Sequence, residues 1–366
     1  MFKLLIINPG STSTKLSIFE DESEVWNKNI KHASDDIKQF EKIIDQLGWR
    51  ESLVKKEISS SNHDINELDA VVARGGVALD PIVGGTYLID ENMVNDLKIA
   101  KNSSHASNLA GIIAYNIGEE YHIPAYTVDP ISVDEFEDVA RLSGLPEIPR
   151  KCQSHALNLK SIGRKTAGYI DKSFGDCNLI GVHLGGGISI APMKKGKIVD
   201  VNNANQGGPY SPERVGTLPS LDLVKYIYDN NPDKNKFIKK LLGNGGLTAY
   251  LGTNDGLKIE KRIESGDEKA KLAYEGMIYQ IAKEIGAMAT VLNGDVDAIF
   301  ITGGLAKSKY ITNRIIKKVE YIAEVFVYPG AEEMENLAQG ALRILRNEEE
   351  YLKYEDGKID VDIFQI

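Results

Sequence analysis

The stretch Asn8-Pro9-Gly10-Ser11-Thr12-Ser13-Thr14-Lys15 joins two apolar runs, Leu4–Ile7 before it and Leu16–Phe19 after it. This pattern predicts a buried strand, a tight turn and a second strand. The turn combines one glycine, four hydroxyl side chains and a lysine. Its backbone can approach an anion closely while N–H, hydroxyl and ammonium groups donate to it. This favours a hairpin that holds the phosphates of a nucleotide. The alternative is a hairpin whose Ser and Thr residues only form the turn.

Length and composition bound the class of protein. The chain has 366 residues, enough for two domains, and 42% of them are hydrophobic. A formal net charge of −10 argues against a nucleic-acid surface. The two cysteines, Cys152 and Cys177, form no C-x-x-C pair, which argues against a disulfide framework or a zinc site and suits a reducing cytosol. Neither a signal-peptide core nor an 18-residue apolar run is present, so we expect a cytoplasmic enzyme.

An internal repeat organises the chain. Asp69–Ala78 matches Asp297–Ala306, with Asp-Ala, Gly-Gly and Ala identical and most other positions apolar in both. Each copy follows a strand–turn–strand block, and each precedes a strand that ends in proline. The repeat predicts two related α/β domains with a cleft between them. Outside the repeat, residues 35–61 predict one helix, and the charged tail after Asn347 is expected to be poorly ordered.

The second half offers its own glycine-rich turns. His183-Leu184-Gly185-Gly186-Gly187 combines a bare backbone with an imidazole that could donate to a phosphoryl oxygen, and Gly303-Gly304 would let an adenosine pack on the backbone. Neither matches the P-loop pattern or the dinucleotide-binding G-x-G-x-x-G. A P-loop ATPase and a Rossmann dehydrogenase are therefore disfavoured.

Taken together, the motifs resemble the acetate/butyrate kinase family, which belongs to the superfamily of acetate and sugar kinases, heat-shock chaperones and actin. The likeness runs nearly the whole length, and the first turn is closer to the butyrate and branched-chain fatty acid kinases. It is carried by Asn8–Lys15, Arg74-Gly75-Gly76, His183–Gly187, Asp200–Ala204, Pro212–Pro219, Gly243–Leu247, Tyr250–Thr253 and Thr302-Gly303-Gly304.

The resemblance implies a fold of duplicated ribonuclease H-like (actin-type) α/β domains with an interdomain active-site cleft. The N-terminal domain is expected over residues 1–150, joined by a C-terminal helix over 340–366. The nucleotide-binding domain is expected over residues 151–339.

The same resemblance implies reversible phosphorylation of a short-chain fatty acid, butyrate or isobutyrate, by ATP with Mg²⁺, giving an acyl phosphate and ADP. A homodimer or larger homo-oligomer is expected, without a nucleic-acid or membrane partner. Acetate or propionate remains open as the acid. An actin- or chaperone-like ATPase is the alternative class, although it would not need Arg74, Arg214 and His155 together.

The family pattern also implies roles for individual residues. Catalysis is assigned to Arg74, His155, Arg214 and Asp129. Contacts with the nucleotide or its phosphates are assigned to Asn8, Ser11, Ser13, Lys15, His183, Gly185, Gly186, Gly187, Asp255, Gly303 and Gly304. Mg²⁺ is assigned to Asn8 and Glu333, with Glu332 as the alternative because the register is open by one residue. The substrate pocket is assigned to His105 and Ser154.

Some assignments keep a structural alternative. His105 could cap or pack a helix, Lys15 could form a salt bridge, and Asp255 could form an Asx turn. Two positions depart from the family. An arginine common in the family is Leu257 here, with Lys258 next to it as a possible substitute. Ser154 stands where acetate kinases have phenylalanine, which would leave room for a longer acyl chain.

Overall fold

A computed structural model describes residues 1–361 and divides the chain into two compact α/β units. Unit 1 comprises residues 1–134 and the segment from Glu332 onward, and unit 2 comprises residues 135–331. The predicted boundary after residue 150 thus lies further along the chain than the boundary between the units. Glu135 is the first residue of unit 2 because its side chain is bound there: the buried ammonium of Lys160 donates to both of its carboxylate oxygens, at 2.8 and 2.9 Å.

Residues 1–134 of unit 1 form six strands and four helices: β1 (Lys3–Pro9), β2 (Ser13–Glu20), β3 (Ser23–Lys31), α1 (Ser34–Lys38), α2 (Leu47–Ser59), β4 (Ala70–Ala73), β5 (Thr86–Leu88), α3 (Glu91–Ile99), α4 (Asn108–Tyr121) and β6 (Ala125–Val128). Short 3-10 turns lie at Ile43–Gln46 and Ile65–Glu67. The strands β1 and β2 lie where the two apolar runs place them, whereas β5 and α3 have no counterpart in the sequence-based prediction.

Unit 2 contains α5 (Asp138–Arg141), α6 (Ala156–Tyr169), β7 (Asn178–Leu184), β8 (Ile188–Lys194), β9 (Lys197–Ile198), α7 (Ser220–Asn230), α8 (Lys234–Leu242), α9 (Gly246–Leu251), α10 (Gly256–Glu264), α11 (Glu268–Val291), β10 (Ala298–Gly303), α12 (Lys309–Val319) and β11 (Val325–Pro329). The chain then returns to unit 1 with α13 (Glu333–Leu345) and α14 (Tyr354–Gly357). None of these helices is long and apolar enough to cross a membrane, as far as residues 1–361 are concerned.

The two sheets share one topology. Unit 1 has the order β3-β2-β1-β4-β6-β5, and unit 2 has the order β9-β8-β7-β10-β11. In each unit the first strand forms an antiparallel hairpin with the second and pairs in parallel with the strand of the repeated motif, β4 or β10. The next strand of the repeat, β6 or β11, is parallel as well. The structure therefore confirms that the chain contains two related α/β units.

The repeated aspartate has the same task in both units. The carboxylate of Asp69 accepts the backbone N–H of Lys3 at 2.7 Å, and that of Asp297 accepts the backbone N–H of Asn178 at 2.8 Å. Each acceptor lies just before the repeated strand, and each donor is the first residue of the strand that pairs with it. Because the aspartate directly precedes the strand in both copies of the repeat, this hydrogen bond fixes the register of β4 on β1 and of β10 on β7.

Three predictions about unit 1 are wrong. Residues 35–61 do not form one helix, because the Asp45 carboxylate accepts the backbone N–H of Lys42 and starts a 3-10 turn between α1 and α2. The helix expected over 340–366 is α13, which ends at Leu345. The described part of the tail is packed on unit 1 rather than poorly ordered, because Tyr354 is fully buried and its hydroxyl donates to Asp96 at 2.8 Å. Residues 362–366 lie outside the described residues.

The glycine pair at the end of β10 serves two different structural needs. Gly303 has φ of 96° and ψ of 173°, a combination that only glycine adopts without strain. A Cβ added there would lie 2.3 Å from the carbonyl oxygen of Leu184. Gly304 starts a 3-10 turn, and a Cβ added to it would meet no atom within 4 Å. Gly303 is therefore required by the packing of unit 2, whereas Gly304 faces open space.

We predict that Gly303→Ala lowers the free energy of unfolding by at least about 2 kcal/mol, since it combines backbone strain with a steric clash. The matched Gly304→Ala should stay within about 1 kcal/mol of the wild type. Urea unfolding monitored by circular dichroism measures both. Equal destabilisation by the two substitutions would contradict this account of Gly303.

Candidate active site

Three of the predicted residues of unit 1 meet at one carboxylate. The side chain of Glu333, in the first turn of α13, accepts the amide N–H of Asn8 at 2.9 Å through Oε2 and pairs with the Arg74 guanidinium through Oε1. Asn8 lies near the end of β1 and Arg74 directly follows β4. Because β1 and β4 are parallel neighbours, their carboxyl ends bring these side chains to one edge of the sheet.

This geometry distinguishes the two adjacent glutamates. Glu333 is the one that contacts Asn8 and Arg74, whereas Glu332 precedes α13 as its N-terminal flanking residue. Arg74 uses only Nη1 for this pair, which leaves Nη2 and Nε as donors for a second oxyanion. Burial lowers the pKa of Arg74, yet the guanidinium stays charged at neutral pH.

The oxygen atoms around Glu333 suit a hard cation. Among residues 1–361 no group of three or more His, Cys, Asp or Glu side chains is arranged to hold a metal ion. Mg²⁺ is often held by one or two carboxylates together with substrate phosphates, so it needs no such group. The Glu333 carboxylate and the Oδ1 atom of Asn8 fit that mode of binding.

The hairpin β1–β2 has two chemically different faces. Lys15 pairs with Asn8 across the strands, so both side chains lie on the face that carries Glu333. Thr14 points to the opposite face and is buried. Ser11 is exposed at the tip of the turn, and Ser13 starts β2. The predicted roles of Ser11, Ser13 and Lys15 in phosphate binding stay predictions.

Asp129 follows β6 and is held in a strained turn. Its φ is 38°, its carboxylate accepts the Gly85 N–H at 2.8 Å, and its own N–H donates to the Gly85 carbonyl at 2.9 Å. A Cβ on Gly75 would lie 2.3 Å from Pro130, so the turn after β4 packs directly against the turn after β6. This packing places the Arg74 and Asp129 segments side by side, while the catalytic role of Asp129 stays a prediction.

His105 lies just before α4 and has a local hydrogen-bonding role. Its Nδ1 atom accepts the backbone N–H of Ser107 at 3.1 Å, so the proton of the neutral ring is on Nε2. Partial burial, followed by the charges of Arg74 and Arg50, lowers the pKa of His105. The ring is thus neutral near pH 7 and close enough to Arg74 to sense its charge, which fits both the predicted pocket role and the helix-end alternative.

In unit 2 the two predicted histidines stack on each other. The ring centroids of His155 and His183 are 4.0 Å apart and nearly parallel. Nδ1 of His155 lies 2.8 Å from the Ser189 hydroxyl, and Nδ1 of His183 donates to Oδ1 of Asn158 at 2.8 Å. Two protonated rings at this distance would repel by about 4 kcal/mol at an effective dielectric constant of about 20. This repulsion disfavours protonation of both rings at the same time.

The triple-glycine turn between β7 and β8 makes room for charged side chains. A Cβ on Gly187 would lie 2.2 Å from Nη1 of Arg214, and one on Gly186 would lie 3.1 Å from the Glu213 carboxylate. The Ser211 hydroxyl donates to the Gly186 carbonyl at 2.5 Å and anchors this loop to the turn. The absence of side chains here lets Arg214 lie against the backbone, and burial lowers the pKa of its guanidinium.

Nε2 of His183 faces the same turn. A Cβ on Gly185 would lie 3.3 Å from that nitrogen. His183, the glycines and Arg214 therefore form one polar cluster in unit 2. With Nδ1 bound to Asn158, Nε2 is an acceptor in the neutral ring and a donor in the protonated ring.

Other predicted residues of unit 2 have mainly local contacts. The Asp255 carboxylate accepts the N–H groups of Leu257 and Lys258 at 3.0 and 3.3 Å and caps α10. Ser154 is buried, and its hydroxyl has no hydrogen-bond partner among the described residues. The nucleotide contact of Asp255, the pocket role of Ser154 and any substitution by Lys258 stay predictions.

Sequence reasoning missed Arg50 and His32, which lie behind the first turn. The Arg50 guanidinium donates to the carbonyls of Gly10 and Ser11 at 2.9 and 3.2 Å, and Nε2 of His32 lies 2.9 Å from the Thr14 hydroxyl. Both residues are more than nine-tenths buried. Arg50 is followed by Glu51 in an ordinary amphipathic segment, so no motif signals its role; only the fold brings it to the turn.

Comparisons with known proteins fit this geometry. The sequence profile described as the Acetokinase family matches residues 148–328. The chain is 50% identical over 349 residues to the probable butyrate kinase 2 of Caldanaerobacter subterraneus subsp. tengcongensis, covering 95% of this chain and 98% of that protein. It is 48% identical over 354 residues to butyrate kinase 2 of Clostridium acetobutylicum, covering 96% and 99%.

The fold also matches a solved structure. The crystal structure of Porphyromonas gingivalis acetate kinase superposes with a TM-score of 0.79, covering 94% of this chain and all of that one (100%), at 18% sequence identity. At this identity the likeness concerns the fold alone. It agrees with the duplicated actin-type fold expected from the sequence, which is thereby confirmed.

The buried His32 makes a testable contribution to pH stability. Burial, followed by the charge of Arg50, lowers the pKa of His32 to about 4. A histidine that is neutral in the fold but has a pKa of about 6.5 when unfolded stabilises the protein above pH 6.5, and this stability is lost as the pH falls towards 4. We predict a loss of up to about 3 kcal/mol in that window.

His32→Gln should remove this part of the pH dependence, because glutamine stays neutral. Urea unfolding at pH 7.0 and 4.5 gives the difference between wild type and variant, with His63→Gln as the control from the same unit. The assignment is wrong if wild type and His32→Gln lose equal stability between the two pH values.

Proposed function

This chain belongs to the acetokinase family, and from that premise we propose that it transfers the terminal phosphoryl group of ATP to butyrate, giving butyryl phosphate and ADP in a reversible reaction. The observation that carries the proposal is the near-complete coverage, at 48–50% identity, of relatives named as butyrate kinases. The donor clusters of the two units supply the charges that such a reaction requires.

The reaction needs charge compensation and no general base. A carboxylic acid with a pKa near that of Glu, about 4.3, is already ionised at pH 7. One carboxylate oxygen forms a bond to the γ-phosphorus, the bond from that phosphorus to the β–γ bridging oxygen breaks, and ADP leaves with the electron pair. No proton has to move. The protein must bring two anions together and stabilise the negative charge of the phosphoryl group in transfer.

Unit 1 supplies the carboxylate-binding and metal-binding part. The Arg74 guanidinium already holds one carboxylate, that of Glu333, and its remaining edge can orient the carboxylate of the acid. Asn8 and Glu333 would hold Mg²⁺, which when bound neutralises phosphate charge. Asp129 would keep the adjoining turn in place through its bonds to Gly85.

Unit 2 supplies donors for the transferred group. Arg214 lies against Gly187 and would donate to phosphoryl oxygens, and the stacked His155 and His183 pair would contribute one positive charge to the same group. The open space at Gly304 would accommodate the adenosine, while Gly303 maintains the packing that exposes it. These roles fit the geometry within each unit and rest on the family pattern.

The finer expectations stay predictions. We propose a preference for butyrate over isobutyrate, propionate or acetate, and a role for Ser154 in chain-length selection. We also propose a homodimeric or larger assembly and a cytoplasmic location.

We predict acyl phosphate formation from C2–C6 acids with kcat/KM for butyrate about tenfold or more above that for acetate, the difference that extra methylene groups provide in a fitted pocket. The measurement is hydroxamate formation in the presence of ATP, Mg²⁺ and hydroxylamine, with acid-free reactions as blanks. Arg214→Met should abolish the signal for every acid, which ties the activity to this chain. Hydroxamate from none of the acids would disprove the kinase proposal, and a preference for acetate would disprove the assigned substrate.

We predict that Glu333→Gln lowers kcat about 100-fold or more and raises the Mg²⁺ concentration needed for half-maximal rate, because it removes the charge from the proposed metal-binding carboxylate. The neighbouring Glu332→Gln is the matched control and should retain near wild-type values. Steady-state rates across a Mg²⁺ titration measure both. The reverse ranking of the two variants would place the metal-associated carboxylate at residue 332.

A further inference from the structure

We infer that Arg50 is a positioning residue for nucleotide phosphates, which fixes the Gly10–Thr14 turn from inside unit 1 so that backbone N–H groups at its tip face outward. The inference rests on the proposed function for the identity of the anion. It concerns a residue that lies outside every motif of the sequence, on α2.

Within residues 1–361, Arg50 is buried without a carboxylate partner. Its side chain is 1% exposed, and its four acceptors are neutral oxygens: the Gln46 amide at 3.0 Å, the Thr14 hydroxyl at 3.3 Å and the carbonyls of Gly10 and Ser11. A buried charge is normally paired, because removing it from water is costly. The lack of a compensating carboxylate leaves the positive charge available to an anion at the turn.

The Gly10–Thr14 turn lacks the backbone conformation that normally stabilises a two-residue hairpin loop. The N–H of Gly10 donates to the Ser13 carbonyl at 2.7 Å, so Ser11 and Thr12 form a two-residue hairpin loop. Such loops favour turn types with positive φ, and neither Ser11 nor Thr12 has one. The hydrogen bonds from Arg50 to the Gly10 and Ser11 carbonyls supply the missing support.

These bonds also determine where the amides point. In a trans peptide the C=O of one residue and the N–H of the next point in opposite directions. With the Gly10 and Ser11 carbonyls turned towards Arg50, the N–H groups of Ser11 and Thr12 point away from the interior. Neither amide donates to another group within residues 1–361. Both residues are exposed, so the two N–H groups form an anion-binding pair in front of a buried cation.

A second contact supports the same arrangement from the neighbouring strand. The backbone N–H of His32 donates to the Thr12 carbonyl at 2.9 Å, and the His32 ring contacts the Thr14 hydroxyl that Arg50 also contacts. Three successive carbonyls of the turn are therefore bound from behind. The turn is held in the orientation that an incoming phosphate requires, and binding does not have to order it.

The test uses Arg50→Lys and Arg50→Met in the full chain, with equilibrium binding of ATP and of AMP measured by calorimetry in Mg²⁺. Lysine keeps the charge but cannot reach all four acceptors, and methionine removes charge and donors. We expect ATP affinity to fall about 10-fold for lysine and about 100-fold for methionine, the range for losing charged hydrogen bonds, with AMP affinity within about twofold of wild type. In steady state, KM for ATP should rise while KM for butyrate stays unchanged.

The control is Arg346→Met, which removes an exposed arginine of unit 1 that pairs with Glu22, and it should change neither affinity. A merely structural role for Arg50 would lower the melting temperature and weaken ATP and AMP by the same factor, and that result would overturn the inference. The inference would also be overturned if folded Arg50→Lys bound ATP with an affinity within about twofold of that of the wild type.

A second variant is used if Arg50→Met does not fold. Thr14→Val removes one acceptor of Arg50 at similar shape and should show the same selective loss of ATP affinity. An unchanged ratio of ATP affinity to AMP affinity in this variant overturns the inference.

Binding and catalysis separate the two proposals. A wild-type protein that binds ATP but phosphorylates no acid would disprove the proposed function and leave the Arg50 result interpretable. An active kinase whose Arg50→Lys variant binds ATP normally would disprove the role of Arg50 alone.

Discussion

The parallel pairing of the central strands is the constraint on which both units depend. In unit 1, β1, β4 and β6 run in the same direction, and in unit 2, β7, β10 and β11 do so. Parallel strands end at the same edge of a sheet, so residues far apart in the chain that follow these strands become neighbours. Asn8 and Arg74 meet in this way, and α13 adds the Glu333 carboxylate that both contact.

Much of the fold could be predicted because its signals are local. The hairpin β1–β2 and the strand of each repeated motif lie in apolar runs. The repeat itself reflects one hydrogen bond, made by Asp69 in one unit and Asp297 in the other. The predictions that failed concern segments whose structure is determined by tertiary contacts. The three-residue strand β5 is too short to show a period, and the tail is ordered by the burial of Tyr354 rather than by its composition.

The site residues divide in the same way, into those with a local sequence signal and those placed only by tertiary structure. Residues in recognisable turns could be identified from the sequence, but the choice between Glu332 and Glu333 needed the position of α13. Glycine is required at position 303 but not at 304 because of the backbone torsion of Gly303 and its short distance from Leu184. Neither can be inferred from a sequence pattern. Arg50 is the clearest case, because its function would arise from where α2 packs and not from its neighbours in sequence.

The return of the chain to unit 1 has a consequence for synthesis on the ribosome. Unit 2 is contiguous, so it can fold as soon as residues 135–331 have emerged, whereas unit 1 lacks α13 until translation has passed residue 345. During that interval the sheet of unit 1 has one face without its helix, since Gly340 of α13 packs directly on Val128 of β6. Asn8 and Arg74 are translated before unit 2, whereas Glu333, whose carboxylate both contact, is translated after it. The nascent chain therefore cannot assemble this cluster before all of unit 2 has been translated.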